Sequence, residues 1–237
     1  MSRILALIPA FNEGARIAGV IDTVRRAAPY CDILVVDDGS RDDTAAAARG
    51  TGATVVSHPF NMGYGVAIQT GYKYAAQHGF EFLVQIDGDG QHDPSYIPKL
   101  LEPVMERRSN FALGSRFLSS GSYEPSLARR IGMACFRRIV SFVTGTKITD
   151  STSGYQAFDR EVIKFFTGDI FPCDYPDADM LITLHRAGFT IAEVPVRMYA
   201  NSEGKSMHNG LKPFYYVFKM FLSIAVTLLR SRKFYHR

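Results

Sequence analysis

An α/β fold with a mostly parallel central sheet flanked by helices is predicted for this chain by two observations. Short apolar runs alternate with helix-period segments through the first half of the sequence. Acidic and glycine-containing motifs follow directly after several of those runs, at the carboxyl ends of the strands they predict, which is where ligands collect in such sheets. The composition permits a substantial core, since the 237 residues are 46% hydrophobic and 21% charged.

The first strand is expected at 4–8, where Ile4-Leu5-Ala6-Leu7-Ile8 gives way to Pro9 and the polar Asn12-Glu13; the run is too short for a secretory signal. A helix from about 14 to 27 follows, with Ile17, Val20, Ile21 and Val24 on one face. Ile33-Leu34-Val35-Val36 reads as a second buried strand, 42–50 as an Ala-rich helix, 53–57 as a third strand and 65–78 as a helix. A fourth strand is expected at 82–86, a helix around 95–107 and a strand at 111–115. The second half is less regular, with a basic amphipathic segment at 127–143, a turn-rich stretch at 144–154, a helix near 177–187 and a strand at 190–199. The stretch 200–210 has loop composition with groups suited to phosphate, and reads as a candidate lid. The organisation expected is a 1–210 domain followed by a 211–237 basic amphipathic segment.

The net charge of +4 gives no whole-molecule field of the kind nucleic-acid binders show, although local basic clusters can meet phosphate or anionic lipid. Cys31, Cys135 and Cys173 are odd in number and lack CxxC spacing, which disfavours a disulfide framework or zinc site and favours a reducing compartment.

The strongest chemical signal is Ile86-Asp87-Gly88-Asp89-Gly90-Gln91-His92-Asp93-Pro94, placed after a buried strand. Asp87 and Asp89, separated by one glycine, can turn toward one hard cation, and Gln91 can add a neutral oxygen; such a set suits Mg²⁺ or Mn²⁺ better than zinc. The plainer alternative is a solvated acidic turn. Val36-Asp37-Asp38-Gly39-Ser40 ends the second strand with another acidic pair that can accept from a base N–H or a ribose hydroxyl, while Asp42 or Asp43 suits a helix cap. Pro9-Ala10-Phe11-Asn12-Glu13 ends the first strand, with Glu13 also readable as a first-turn helix charge. Asn61-Met62-Gly63-Tyr64-Gly65 lacks the third glycine of a dinucleotide fingerprint, so a Rossmann NAD site is rejected. Arg116, in Gly114-Ser115-Arg116, can reach a pyrophosphate or sit on the surface.

These residues resemble the family 2 glycosyltransferases of GT-A fold, and within them the dolichol-phosphate mannose and polyprenyl-phosphate glucose synthase branch. The resemblance covers about residues 3–210 and rests on Pro-Ala-Phe-Asn-Glu at 9–13, Val-Asp-Asp-Gly-Ser at 36–40, Asn-Met-Gly at 61–63, Asp-Gly-Asp-Gly-Gln-His at 87–92, Gly-Ser-Arg at 114–116 and Thr-Ser-Gly-Tyr at 152–155. It implies that Pro9, Phe11, Glu13, Val36 and Asp38 hold the nucleoside. It also implies that Asp87, Gly88 and Asp89 with Gln91 bind metal and diphosphate, and that Arg116 touches the donor. Similar sequences often carry an arginine shortly before a Gly-x-Ser where this chain has Asn201, leaving Arg197 or Lys205 to supply the charge.

The activity so implied is inverting, metal-dependent transfer of a sugar from a UDP- or GDP-sugar to polyprenyl phosphate. The alternatives are transfer to a sugar hydroxyl of a polysaccharide or glycolipid, and a non-enzymatic nucleotide-sugar-binding partner subunit. A hydroxyl acceptor wants a carboxylate base, for which Asp150, Asp177 and Asp179 are candidates, with Asp177 equally suited to capping a helix. A lipid phosphate is already anionic and needs little deprotonation. On a helical wheel, 127–143 sets Arg129, Arg130, Arg137 and Arg138 against Ile131, Cys135, Phe136, Ile139, Phe142 and Val143, the pattern of an interfacial helix or of an ordinary core or dimer helix. The run 214–229 contains Lys219 and is shorter than the roughly 20 residues of a bilayer span, and Arg230, Arg232, Lys233 and Arg237 follow it. Peripheral association with the cytoplasmic face of a membrane, without a transmembrane span, is the expectation.

Overall fold

The computed structural model describes residues 2–118, 127–172, 174, 176–199 and 212–230. Strands β1 (Ile4–Ala10), β2 (Cys31–Asp37), β3 (Thr54–Ser57), β4 (Phe82–Gln85), β5 (Phe111–Ser115), β6 (Gln156–Asp159) and β7 (Ile191–Pro195) form one sheet in the order β3-β2-β1-β4-β6-β5-β7. The pairs β1–β2, β1–β4, β2–β3 and β5–β7 are parallel, whereas β6 runs antiparallel to both β4 and β5. The mostly parallel sheet is thus as expected, with one reversed strand that the sequence reading missed.

Helices cover both faces, which is why the central strands are apolar throughout rather than alternating. Along β1, Ile4, Ala6, Ile8 and Ala10 join the core under α1 (Ile17–Ala27) and α4 (Ile97–Met105), while Leu5 and Leu7 join the core on the other face. That second core is closed by α3 (Tyr64–Gln77), α5 (Leu127–Thr144), α6 (Arg160–Phe165), α7 (Ala178–Arg186) and α8 (Lys212–Leu229). The short α2 (Thr44–Gly50) contributes Ala48 to the first core. On α1 the predicted stripe of Ile17, Val20, Ile21 and Val24 is fully buried, each side chain stabilising the fold by roughly 1.5–3 kcal/mol.

Helix α1 starts at Ile17 rather than near 14 because the amides of Arg16 and Ile17 both turn back onto the Glu13 carbonyl. The strand expected at 190–199 stops at Pro195; the chain then leaves β5 and crosses to the loop after β4, where Met198 bridges His92 and the Tyr199 amide donates to the Gln91 carbonyl. Strand β6 and helix α6 were missed because Gln156-Ala157-Phe158-Asp159 is short and has polar ends, and only its antiparallel neighbours make it a strand. The reversal matters: it brings residues 153–155, at the start of β6, to the same sheet edge as the carboxyl end of β4.

The apolar side of α5 faces the protein, with Phe136 and Val140 in the core and Ile139 and Val143 packed against it, while Cys135 and Phe142 lie outside. Phe136, Ile139 and Val143 of the predicted stripe are thus covered by the fold itself, as the core-helix alternative expects, while Cys135 and Phe142 remain on the outside. Helix α8 buries Met220, Ile224 and Thr227 and sets the Phe221 ring against Phe136 at a tilt of 49°, but exposes Phe218, Leu222, Val226 and Leu229 along its outer side. No helix among the described residues is long and apolar enough to cross a membrane. The expected lid at 200–210, Cys173, Lys205, the boundary at 210 and the basic residues Arg232, Lys233 and Arg237 lie outside the described residues.

Candidate active site

The carboxyl ends of β1, β2 and β4 open into one crevice, and its walls are laced to each other before any ligand is considered. Asn12, in the left-handed region at φ 56, accepts from the Arg41 amide and donates its own amide to Ser40 Oγ. The Glu13 amide donates to Thr44 Oγ1 and the Gly14 amide to Asp42 Oδ2 at 3.0 Å. Burial pushes the Asp42 carboxyl up, but hydrogen bonds from Thr44 and Gly14 outweigh it and hold the group below its usual range. Asp42, rather than Asp43, thus meets the amide at the start of α2.

Glu13 lies against Arg16 at 2.6 Å. Burial raises its pKa against the pull of Arg16, and the nearby Asp89 charge adds to the rise, so Glu13 and Asp89 share the crevice. Phe11 is 43% exposed and offers a ring face there, and the Pro9 carbonyl accepts from the Gly88 amide. Two residues assigned to the nucleoside are placed otherwise. Val36 is fully buried in the core, where its side chain cannot meet a ligand. Asp38 is 3% exposed, and its carboxylate accepts from His58 Nδ1 at 2.7 Å and from the amides of Met62 and Gly63, so it builds the loop before α3. That loop leaves no room beside Gly39, where a Cβ would sit 2.3 Å from the Phe60 carbonyl carbon and φ is +68°.

After β4, Asp87 is held from three sides. Tyr64 donates its hydroxyl to Asp87 Oδ1 at 2.9 Å, His92 Nε2 lies 3.7 Å from Oδ2, and Gly154 packs flat against the carboxylate. His92 Nδ1 accepts from the Asp87 amide, which leaves the ring proton on Nε2, facing the carboxylate, and the ring stacks on Tyr155. Burial raises the Asp87 pKa; His92 opposes the rise and the Asp89 carboxylate adds to it. Asp89 in turn accepts from the Gln91 backbone amide at 3.0 Å and from the Gln91 side chain. Two crowded carboxylates make a hard-oxygen pair, and a divalent cation would remove the repulsion between them, so Asp87 and Asp89 fit Mg²⁺ or Mn²⁺; Gln91, whose side-chain N–H faces Asp89, would add its oxygen on turning its amide over. No cluster of three or more His, Cys, Asp or Glu side chains suited to a metal occurs among the described residues. The remaining ligands of an ion here would therefore come from substrate phosphate and water.

Arg116 sits at the end of β5, and its charge lowers Asp87. Its guanidinium grips Asp150 through Nε–Oδ2 at 2.6 Å and Nη2–Oδ1 at 2.7 Å, with Thr152 Oγ1 at 2.7 Å from the same Nη2. Asp150 also receives the Arg116 amide and is 1% exposed. The assignment of Asp150 as a base is therefore corrected: its lone pairs are engaged, and it orients Arg116. Glu193 of β7 supports this loop by accepting from the amides of Thr149 and Asp150.

Asp177, half-buried before α7, makes no side-chain capping bond to its helix, and its charge helps to hold Tyr64 protonated. Asp179 does the capping instead. It accepts from the amides of Asp177 and Met180 and from Ser223 of α8, and burial pushes its pKa up to about 7 against the pull of the Ser223 bond. At 1% exposure under α8 it meets no substrate, which corrects its assignment as a catalytic residue. Arg197 is exposed on the segment crossing the Asp-Gly-Asp loop, stacked over Tyr199 at 5.5 Å, and Tyr199 donates to Asp93.

Sequence reasoning gave no role to Tyr64, Gln85 or Glu193, and Gly154 entered only as part of the Thr-Ser-Gly-Tyr motif at 152–155. Gln85 carried a signal, as a polar residue inside an apolar strand run; Tyr64 meets Asp87 only through the packing of α3, and Gly154 and Glu193 find their places only with β6 and β7.

A family model described as glycosyl transferase family 2 matches residues 6–166. Polyprenol monophosphomannose synthase from Mycolicibacterium smegmatis is 31% identical over 219 residues, spanning 88% of this chain and 82% of its own length. Undecaprenyl-phosphate mannosyltransferase from Micrococcus luteus is 31% identical over 219 residues, spanning 88% of each chain. Among solved structures, glucosyl-3-phosphoglycerate synthase from Mycobacterium tuberculosis, in complex with Mn²⁺ and uridine-diphosphate-glucose, superposes with a TM-score of 0.72 at 22% identity, over 95% of this chain and 78% of that one. That likeness shows the shared GT-A fold.

Proposed function

The chain belongs to glycosyl transferase family 2, and on that premise we propose that it moves a sugar, with inversion, from a UDP- or GDP-sugar to a polyprenyl phosphate at a membrane surface. The observation that supports the reading is the pair Asp87 and Asp89 in the loop after β4, where the Asp89 charge raises the cost of ionising Asp87 and also acts on Glu13, and Arg116 acts on Asp87. Mg²⁺ or Mn²⁺ held by Asp87, Asp89 and Gln91 would offset the charge that grows on the leaving diphosphate. Pro9, Phe11 and Glu13 border the space for the nucleoside, and Gly88 lets the loop lie against β1. Arg116, preset by Asp150, and the exposed Arg197 are cations suited to phosphate oxygens. Lys205 follows Arg197 in the chain and is proposed for the same role.

The names of the two relatives support a polyprenyl-phosphate acceptor, and the exposed apolar side of α8 supports a lipid surface as its setting. An anionic phosphate acceptor needs no general base. A sugar hydroxyl acceptor needs one, and Asp177 is proposed for that role in the second reading.

The test is a radiolabelled transfer assay with Mn²⁺ or Mg²⁺, a panel of nucleotide sugars and undecaprenyl phosphate in detergent. Metal-dependent label in the organic phase, lost in Asp89→Ala and retained in Asp177→Ala, is the expected result. Donor binding without lipid label, with activity on a saccharide acceptor lost in Asp177→Ala, would overturn the phosphate reading in favour of the hydroxyl one.

A further inference from the structure

We infer that Tyr64 is a positioning residue that fixes the Asp87 carboxylate for the metal and diphosphate, and that it is itself fixed by a buried relay through Gln85 to Tyr72. The inference deepens the proposed function and rests on it for the identity of what Asp87 meets.

The geometry leaves the relay one direction. Tyr72 is fully buried and donates its hydroxyl to Gln85 Oε1 at 2.7 Å. The Gln85 amide nitrogen, with two hydrogens, donates to Tyr64 Oη at 3.0 Å and to the Gly154 carbonyl at 3.1 Å. A flipped Gln85 amide would place its oxygen against the Gly154 carbonyl, acceptor facing acceptor, so the amide orientation is determined. Tyr64 therefore accepts from Gln85, and its own hydrogen is directed at Asp87 Oδ1, 2.9 Å away. An ionised carboxylate only accepts, so the bond has one sense. The opposite oxygen, Oδ2, is bounded by Gly154, where a Cβ would come within 2.9 Å, and by His92.

The relay also explains a cost that the fold otherwise carries without return. Polar side chains in the middle of a core destabilise it unless every group is paired, and here Tyr72 and Gln85 are buried in series behind the half-buried Tyr64 and one carboxylate. Residues that hydrogen-bond a metal-binding carboxylate orient it, and losing one typically weakens metal binding or activity about 10–100-fold. Tyr64→Phe deletes a single oxygen and keeps the ring.

The experiment is titration of the purified full chain with Mn²⁺ alone, followed by electron paramagnetic resonance of the free ion, on the native protein, Tyr64→Phe and Tyr72→Phe. Melting temperatures are recorded in parallel. The expected result is a Mn²⁺ dissociation constant raised at least about tenfold in Tyr64→Phe at a preserved melting temperature. Tyr72→Phe, one bond further from the carboxylate, frees the Gln85 amide and gives a smaller rise, which keeps the inference testable if Tyr64→Phe folds poorly. Native-like Mn²⁺ affinity in both variants overturns the positioning role while leaving the metal reading intact. Failure of the native protein to bind Mn²⁺, both alone and with UDP or GDP present to supply the phosphate ligands, overturns both, and is recognised before any variant is compared.

Discussion

Replacing Asp150 by Ala tests whether this residue organises the site or performs chemistry in it. The Arg116–Asp150 pair has two short charge-assisted hydrogen bonds, and the two side chains are 11% and 0% exposed. Removing one partner of such a buried pair leaves an uncompensated charge and costs about 3–5 kcal/mol. For a chain of this size each kcal/mol lowers the melting temperature by about 2–4 °C, so a fall of roughly 6–20 °C is expected by scanning calorimetry. Asp150→Asn keeps the shape and one acceptor and falls between the two. The double variant Arg116→Met with Asp150→Leu removes both charges and recovers most of the loss, because no unpaired ion remains. A melting temperature unchanged in Asp150→Ala, together with a large loss of turnover, would refute the structural role and restore Asp150 as a base.

Asp179 predicts a pH dependence of stability. Its folded pKa of about 7 lies above the roughly 3.9 of an unfolded aspartate, so the folded state holds more protons between those values. Its contribution therefore falls as pH rises from about 4 to about 7 and is flat above that, by an amount on the order of 4 kcal/mol. Asp179→Asn, which still accepts from the Met180 and Asp177 amides, should flatten this slope in urea unfolding measured across that range; an unchanged slope would count against the buried carboxyl. Gly154→Ala places a methyl group 2.9 Å from both Asp87 Oδ2 and the Tyr64 hydroxyl, so a loss of roughly 1–3 kcal/mol is expected in chemical denaturation. Weaker Mn²⁺ binding should accompany it, and native-like metal affinity would show that the carboxylate has other positions. Phe218→Glu with Leu222→Glu, on the outer side of α8, should abolish co-sedimentation with anionic liposomes while shifting stability within about 0.5 kcal/mol per surface substitution. Retained co-sedimentation would move the membrane contact elsewhere.

Much of the architecture was legible because burial on two faces leaves a local mark. The runs at 4–8 and 33–36 are apolar without alternation and 82–86 is so but for Gln85, as strands covered by helices on both sides must be, and the stripe on α1 is as clear as its burial. The Asp-Gly-Asp motif was equally legible, since chemistry at a strand end must be written in consecutive residues. Strand β6 was not, because four residues with polar ends owe their conformation to the antiparallel neighbours on either side. The helical wheel of 127–143 showed an apolar stripe but not what covers it, and in the fold the covering is the protein's own core.

By itself the sequence determined the α/β class, the family and the acidic strand ends that point to nucleotide-sugar chemistry. Only the tertiary structure decided which carboxylates are available. Asp38, Asp150 and Asp179 look in sequence like Asp87, yet they are engaged by His58 and the Met62 and Gly63 amides, by Arg116, and by Ser223, whereas Asp87 stands beside a second carboxylate, Asp89. A carboxylate's role depends on which donors reach it, and those donors arrive from 20, 34 and 44 residues away along the chain.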